Sequence, residues 1–250
     1  MDKENVAYDV FSVTMGTSSA VPTRGSKTSL GPLDPFDVQL LQPCRFSILD
    51  QNRVRLHEFS LFKAARGMTH RNLTIYKHLD EFEDEFDSIK NVLCAYHTQR
   101  ELLSLIRTHE HSQGFKYDAL LVLRPDTAMV RDIDLTENLP VIRQDNRSIW
   151  LPDFQHWAGY NDRLAYGSLP AMSVYLHRGQ LFRDAPGIFP VAERLVKYAL
   201  ARNNITVQFT TARVLRVRQN RWVFEAQRVM NMTDTEWNRC IQGGVLTKTC

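Results

Sequence analysis

Two short segments put carboxylates beside arginines at points where the chain changes direction. The first is Tyr117–Asp134, YDALLVLRPDTAMVRDID. Its apolar run, Ala119–Leu123, stops at Arg124-Pro125-Asp126. A run of this kind without polar alternation reads as a strand buried on both faces, as inside a parallel sheet. In open α/β sheets, ligands lie beyond the carboxyl ends of the strands, which is where Asp126 falls. Pro125 removes a backbone donor and stiffens the turn that aims the carboxylate. Asp126 is a hard oxygen ligand suited to Mg²⁺ or Mn²⁺. Such an ion neutralises a diphosphate, and Arg124 adds a second positive group. The same residues also read as a plain turn, with Asp126 as its cap and Arg124 paired to a surface carboxylate. Asp132 and Asp134, just beyond, read as solvated loop groups.

The second segment is Ala158–Ser168, AGYNDRLAYGS, followed by Ala171-Met172-Ser173-Val174-Tyr175 and Arg178. Within it, Asp162 has two readings. It is a general base that takes the acceptor hydroxyl's proton in a group transfer, or Asn161-Asp162-Arg163 is a turn held by side-chain hydrogen bonds. Trp157 and Tyr160 flank the turn, and aromatic faces pack against the apolar faces of sugars. Trp157 is assigned to the site and Trp150 to the core. His177 reads as a helix-end cap more readily than as a metal ligand.

Taken together, Arg124-Pro125-Asp126, Asn161-Asp162-Arg163, the helix carrying Met172, Tyr175 and Arg178, and Pro190-Val191-Ala192-Glu193 resemble a glycosyltransferase family. This family, of the GT-A-type nucleotide-sugar-binding fold, occurs in algae, large viruses and bacterial polysaccharide loci. The resemblance covers roughly Tyr8 to Arg218. It implies an α/β fold, a GT-A-like (Rossmann-like) mostly parallel central sheet flanked by helices, in one domain over residues 1–229 with an irregular tail over 230–250. It implies metal-dependent transfer of a sugar from a nucleoside-diphosphate sugar donor to a glycan acceptor. Asp126 is then the ligand of Mn²⁺ or Mg²⁺ and Asp162 the base. Arg124, Asn161, Arg163, Trp157, Arg178 and Glu193 contact substrate; by residue type alone Arg163 and Arg178 read equally as salt-bridged surface groups, and Glu193 as a group that caps or pairs within its helix. The alternative is a non-catalytic relative that binds a glycan or a protein partner. Relatives begin with a strand and a "G-x-x-R" turn that Tyr8-Asp9-Val10-Phe11 does not supply. Either that first βα unit is missing or Val10–Gly16 serves as the first strand.

Composition sets outer bounds. The 250 residues suffice for one domain with a sizeable core. A hydrophobic fraction of 43% and a charged fraction of 24% are those of an ordinary globular chain. The formal charge of +3 is too small to argue for nucleic acid, and no motif interleaves basic and aromatic residues. Cys44, Cys94, Cys240 and Cys250 show no C-x-x-C spacing, so they read as free thiols, with a Cys240–Cys250 bridge as the lesser alternative. No apolar run spans a membrane and no secretory h-region opens the chain, so the expectation is a cytoplasmic protein.

The elements that must position these groups follow from periodicity. Asp9–Met15 and Phe46–Leu49 read as strands, Gly16–Pro35 as a long loop, and His57–Ala65 as a short helix. Phe86 to about His111 is the strongest helix, with an apolar stripe of Ile89, Val92, Leu93 and Tyr96 continued by Leu102, Leu103, Leu105 and Ile106, and a stop at Gly114. Ser148–Leu151 and Arg163–Tyr166 read as strands, and Leu169–His177 as a helix. Pro190–Arg202 reads as an amphipathic helix with Val191, Leu195, Tyr198 and Ala199 inward. Ile205–Phe209, Val214–Val217 and Trp222–Phe224 read as late strands. A long helix between strands is the grammar of a parallel sheet.

Overall fold

The structure is a computed structural model, and it describes residues 7–16, 41–65, 86–124, 127–129, 133, 135–156, 158–184 and 191–216. The predicted loop Gly16–Pro35 beyond its first residue, the strand Trp222–Phe224, the tail 230–250, and the site residues Asp126 and Trp157 lie outside the described residues.

β1 (Phe11–Gly16) pairs in parallel with β2 (Arg45–Asp50). α1 (Gln51–Ala65) follows β2 directly. It starts six residues before the predicted His57 because Asp50 Oδ1 accepts from Arg53 N at 2.8 Å, the geometry of an aspartate N-cap. α2 (Asp87–Gln113) ends as expected at Gly114, whose φ of 72° suits glycine and whose N–H bonds Glu110 O. The helix then leads into β3 (Leu120–Leu123).

A second sheet has the order β3–β6–β5–β7, with β5 at Ser148–Pro152, β6 at Leu164–Gly167 and β7 at Thr206–Thr210. β6 runs antiparallel to both β3 and β5, and β5 pairs in parallel with β7. Three of the four strands therefore share one direction. The molecule is mixed α/β, with the helices packed on its sheets. β4 (Thr127–Met129) and β8 (Val214–Arg216) form a separate antiparallel pair, and α3 (Leu139–Gln144) precedes β5. α4 (Leu169–Asp184) and α5 (Ala192–Arg202) separate β6 from β7.

One expectation is corrected here. The run Ala119–Leu123 does not form a strand buried on both faces inside a parallel sheet. Among the described strands β3 is at an edge of its sheet and pairs antiparallel with β6. Its burial alternates, with Leu121 47% and Leu123 41% exposed. An apolar run specifies a strand but not how many neighbours it has. The strands buried throughout are β5 and β6. A second correction concerns α5, whose buried side is Leu195, Val196, Ala199 and Leu200, while Tyr198 is exposed. Trp150 is in the core as expected, stacked on Tyr166 with ring centroids 5.6 Å apart.

The sheet separates two apolar clusters. On one face Leu120, Val122, Ile149, Leu151 and Ala165 meet Leu103 and Ile106 of α2, Met172 and Tyr175 of α4, and Val196 and Leu200 of α5. On the other, Trp150, Leu164 and Tyr166 meet Ile142 of α3 and Val214 of β8, with Met129 of β4 packed alongside. A third cluster locks α1 to α2 and α5 through Phe62, Ile89, Leu93, Tyr96 and Leu195. Phe62 is fully buried there, a contribution of about 1.5–3 kcal/mol. Among the described residues no helix is long and apolar enough to cross a membrane.

Candidate functional site

The antiparallel pairing of β3 with β6 decides which residues meet. Leu123 stands opposite Leu164. Arg124, one residue after β3, is thereby brought against Asp162 and Arg163, just before β6. The backbone continues the contact, with Arg124 N donating to Arg163 O at 3.0 Å. Arg124 Nη1 donates to both carboxylate oxygens of Asp162, at 3.0 and 3.3 Å. The Asp162 side chain is only 7% exposed and that of Arg124 29%, so the guanidinium lies nearer solvent than the carboxylate it holds.

The turn itself is fixed from within. Asn161 is buried; its amide donates to Phe154 O and its carbonyl accepts from Arg163 N, each at 2.9 Å. Both ends of the Asn161 side chain thus serve the turn. Tyr175 of α4 donates its hydroxyl to Asp162 O at 2.9 Å. Upstream in the same loop, Gln155 and Ala158 adopt positive φ of 54° and 63°. Non-glycine residues hold such conformations only where their surroundings over-determine them.

α5 delivers the second carboxylate. Glu193 sits in its first turn, where a helix N-terminus favours negative charge. Tyr160 N donates to Glu193 O at 2.9 Å, which ties the loop to the helix start. The contact is closer at Gly159, where a Cβ would lie 2.0 Å from Glu193 O and 2.3 Å from Arg194 N. Burial raises the Glu193 pKa above the ordinary carboxylate range and Asp162 adds to the effect, while Arg124 and Arg163 pull it down.

Arg178 of α4 is 1% exposed. Its Nη1 donates to Tyr175 O at 2.6 Å, and its guanidinium carbon lies 4.0 Å from the Tyr175 ring centroid and 5.4 Å from that of Tyr96. Among the described residues its Nε and Nη2 have no hydrogen-bond partner. A buried guanidinium with unmade hydrogen bonds is costly, and an anion would relieve that cost. The Tyr96 and Tyr175 hydroxyls, raised mainly by burial, feel both Arg178 and Asp162, which puts all four groups in one electrostatic neighbourhood.

The structure thus gathers Arg124, Asn161, Asp162, Arg163 and Glu193 at the carboxyl end of β3, with Arg178 linked to them through Tyr175. Chemically, the arrangement offers anion-binding arginines around two carboxylates. Mn²⁺ and Mg²⁺ take hard oxygen ligands. The described carboxylates here are Asp162 and Glu193, and both oxygens of Asp162 already face a guanidinium. Two carboxylates among three arginines do not by themselves fit a divalent cation. Tyr96 and Tyr175, which hold Arg178 and the Asp162 backbone, were legible in the sequence only as apolar-stripe and motif positions.

A second cluster went unforeseen. Asp9, Cys44 and His109 offer ligand atoms within 4.8 Å of one another. Nothing local in the sequence signals it, since three distant segments supply one residue each. Burial and Asp9 push the Cys44 thiol pKa up, the opposite of what activates a nucleophile.

No protein-family model, no curated protein and no solved structure matches this chain.

Proposed function

We propose that the carboxyl end of β3 is the donor site of a glycosyltransferase that moves a sugar from a nucleoside-diphosphate sugar to a glycan hydroxyl. The observation that carries this reading is that Arg124 and Arg163 lie beside the carboxylates Asp162 and Glu193 beyond the end of β3, with Arg178 buried behind Tyr175, whose hydroxyl bonds Asp162 O. Arginines suit a diphosphate because their fixed forks meet its oxygens. The N-terminus of α5 adds a favourable field for negative charge. The sequence resemblance supplies the GT-A assignment, the sugar chemistry and Mn²⁺ or Mg²⁺ on Asp126.

In this reading Arg124 has two partners in succession. Without donor it covers Asp162. A diphosphate arriving from solvent draws the more exposed guanidinium away. Asp162 then faces the acceptor hydroxyl and takes its proton as the sugar is transferred. Arg178 stays fixed by Tyr175 and stabilises the charge that develops on the leaving diphosphate. Asn161 positions Asp162 rather than touching substrate. Sugar transfer and donor hydrolysis in Asp162→Asn, with nucleotide binding measured in parallel, test the assignment. Transfer is lost while binding persists; undiminished transfer removes Asp162 as the base.

The closed Arg124–Asp162 pair favours one second reading, a domain that binds a glycan without turnover. Saturable glycan binding with no donor hydrolysis in any nucleotide sugar would select it.

A further inference from the structure

The opposite end of the strands carries a different chemistry. Asp9 lies two residues before β1, Cys44 immediately before β2, and His109 in the last turns of α2. Cys44 N donates to Val10 O at 2.9 Å, so the two strand entrances are already joined. Asp9 Oδ2 is 3.7 Å from His109 Nε2, and the ligand atoms of all three residues lie within 4.8 Å of one another. Ligand atoms about 2.0–2.3 Å from a tetrahedral zinc ion are roughly 3.3–3.8 Å apart, so a small closure brings three of four ligands into place and leaves the fourth position to solvent. A thiolate, an imidazole and a carboxylate make a borderline-soft set, matched to zinc and not to magnesium or calcium.

We propose that Asp9, Cys44 and His109 form a three-ligand site for a zinc-class divalent cation that clasps the entrances of β1 and β2 to the end of α2. Surrounding groups already orient the ligands, as the outer shell of a metal site does. The Tyr117 hydroxyl donates to Asp9 Oδ2 at 2.5 Å, and Tyr117 N is held by Glu110 Oε1 at 2.9 Å. The His109 ring stacks on Tyr117 and meets Phe11 edge-on at 5.5 Å between centroids. One group opposes the metal. Arg45 Nε donates to His109 Nδ1 at 3.1 Å, which leaves the ring proton on Nε2. A metal on Nε2 displaces that proton, moves a proton to Nδ1 and breaks the Arg45 contact; Ser112 Oγ, 3.3 Å from Arg45 Nη2, remains as its partner. The clasp lies at the entrances of the strands and the arginine cluster beyond the exit of β3, so either stands without the other.

The test uses the full chain with Cys240→Ser and Cys250→Ser, which removes the thiols outside the described residues. Cobalt(II) is titrated and the thiolate-to-cobalt charge-transfer band followed, then zinc is added to displace it. The expected result is one equivalent bound, with the band abolished by Cys44→Ser and affinity lowered at least about tenfold by His109→Gln. Zinc raises the melting temperature of the parent and not of Cys44→Ser, because it binds only the folded chain. Arg45→Ala binds cobalt more tightly than the parent. Cys44 is exposed, so serine leaves the fold intact, and far-ultraviolet circular dichroism confirms it. No cobalt band in the parent, or one that survives Cys44→Ser, overturns the proposal. Weaker cobalt binding in Arg45→Ala overturns the placement of the metal on Nε2.

Discussion

The Arg124–Asp162 pair is open to a direct energetic test. Arg124→Met and Asp162→Asn each remove one charge at nearly constant size, and the double variant completes a cycle. At a separation near 3 Å with an effective dielectric of about 20, the raw attraction is about 5 kcal/mol. Most of that is offset by burying Asp162, whose side chain is 7% exposed, and screening acts on Arg124, which is 29% exposed. The expected coupling is therefore about 1–3 kcal/mol, the range for directly bonded partly buried pairs. Arg124→Met is the costlier single change if Asp162 depends on that one guanidinium. It is the cheaper one if Arg163 and Arg178 already stabilise the carboxylate. Urea unfolding of the four chains in one buffer measures all three terms. A coupling below about 0.5 kcal/mol would refute the claim that this contact organises the site.

Three further outcomes follow from the same geometry. Glu193 has a raised folded-state pKa, so its burial stabilises the fold when protonated, and that contribution is lost as pH rises through the folded value. Glu193→Gln should therefore be more stable than the parent at neutral pH, with the difference vanishing below the ordinary glutamate pKa of about 4.3; equal stability at all pH values would contradict the burial argument. Gly159→Ala forces a methyl into the Glu193 backbone and should cost about 1–3 kcal/mol, a fall in melting temperature of roughly 2–12 °C that calorimetry would register. Cys44 is exposed whereas Cys94 is buried with its pKa pushed up to about 12, so in the chain with Cys240→Ser and Cys250→Ser iodoacetamide should label Cys44 before Cys94, and Cys94 only on unfolding.

Local patterns carried much of the architecture. The apolar stripe ending at Gly114 located α2 within two residues at either end, because helix period and glycine stop act through neighbours in the chain. The strand in Ala119–Leu123 was equally legible, but its place at a sheet edge was not, since pairing is decided by β6 some forty residues later. α3, six residues long with Pro140 inside, and β4, three residues long, are too short to show a period. At the candidate site, residue types picked out Arg124, Asn161, Asp162 and Arg163, which the fold brings together. The bond between Arg124 and Asp162 depends on strand register, and the burial of Arg178 depends on α4 packing over Tyr96 of α2, neither of which a linear pattern contains. The Asp9–Cys44–His109 cluster was invisible for the same reason.

Nucleotide binding tests the central claim most directly. Calorimetric titration of the full chain with UDP and with GDP, with and without Mn²⁺, should show saturable binding of at least one nucleotide that is weakened by Arg124→Met, with any Mn²⁺ dependence lost in Asp126→Asn. Absence of binding by either nucleotide under either condition, or binding unchanged by Arg124→Met, would contradict a donor site at the carboxyl end of β3.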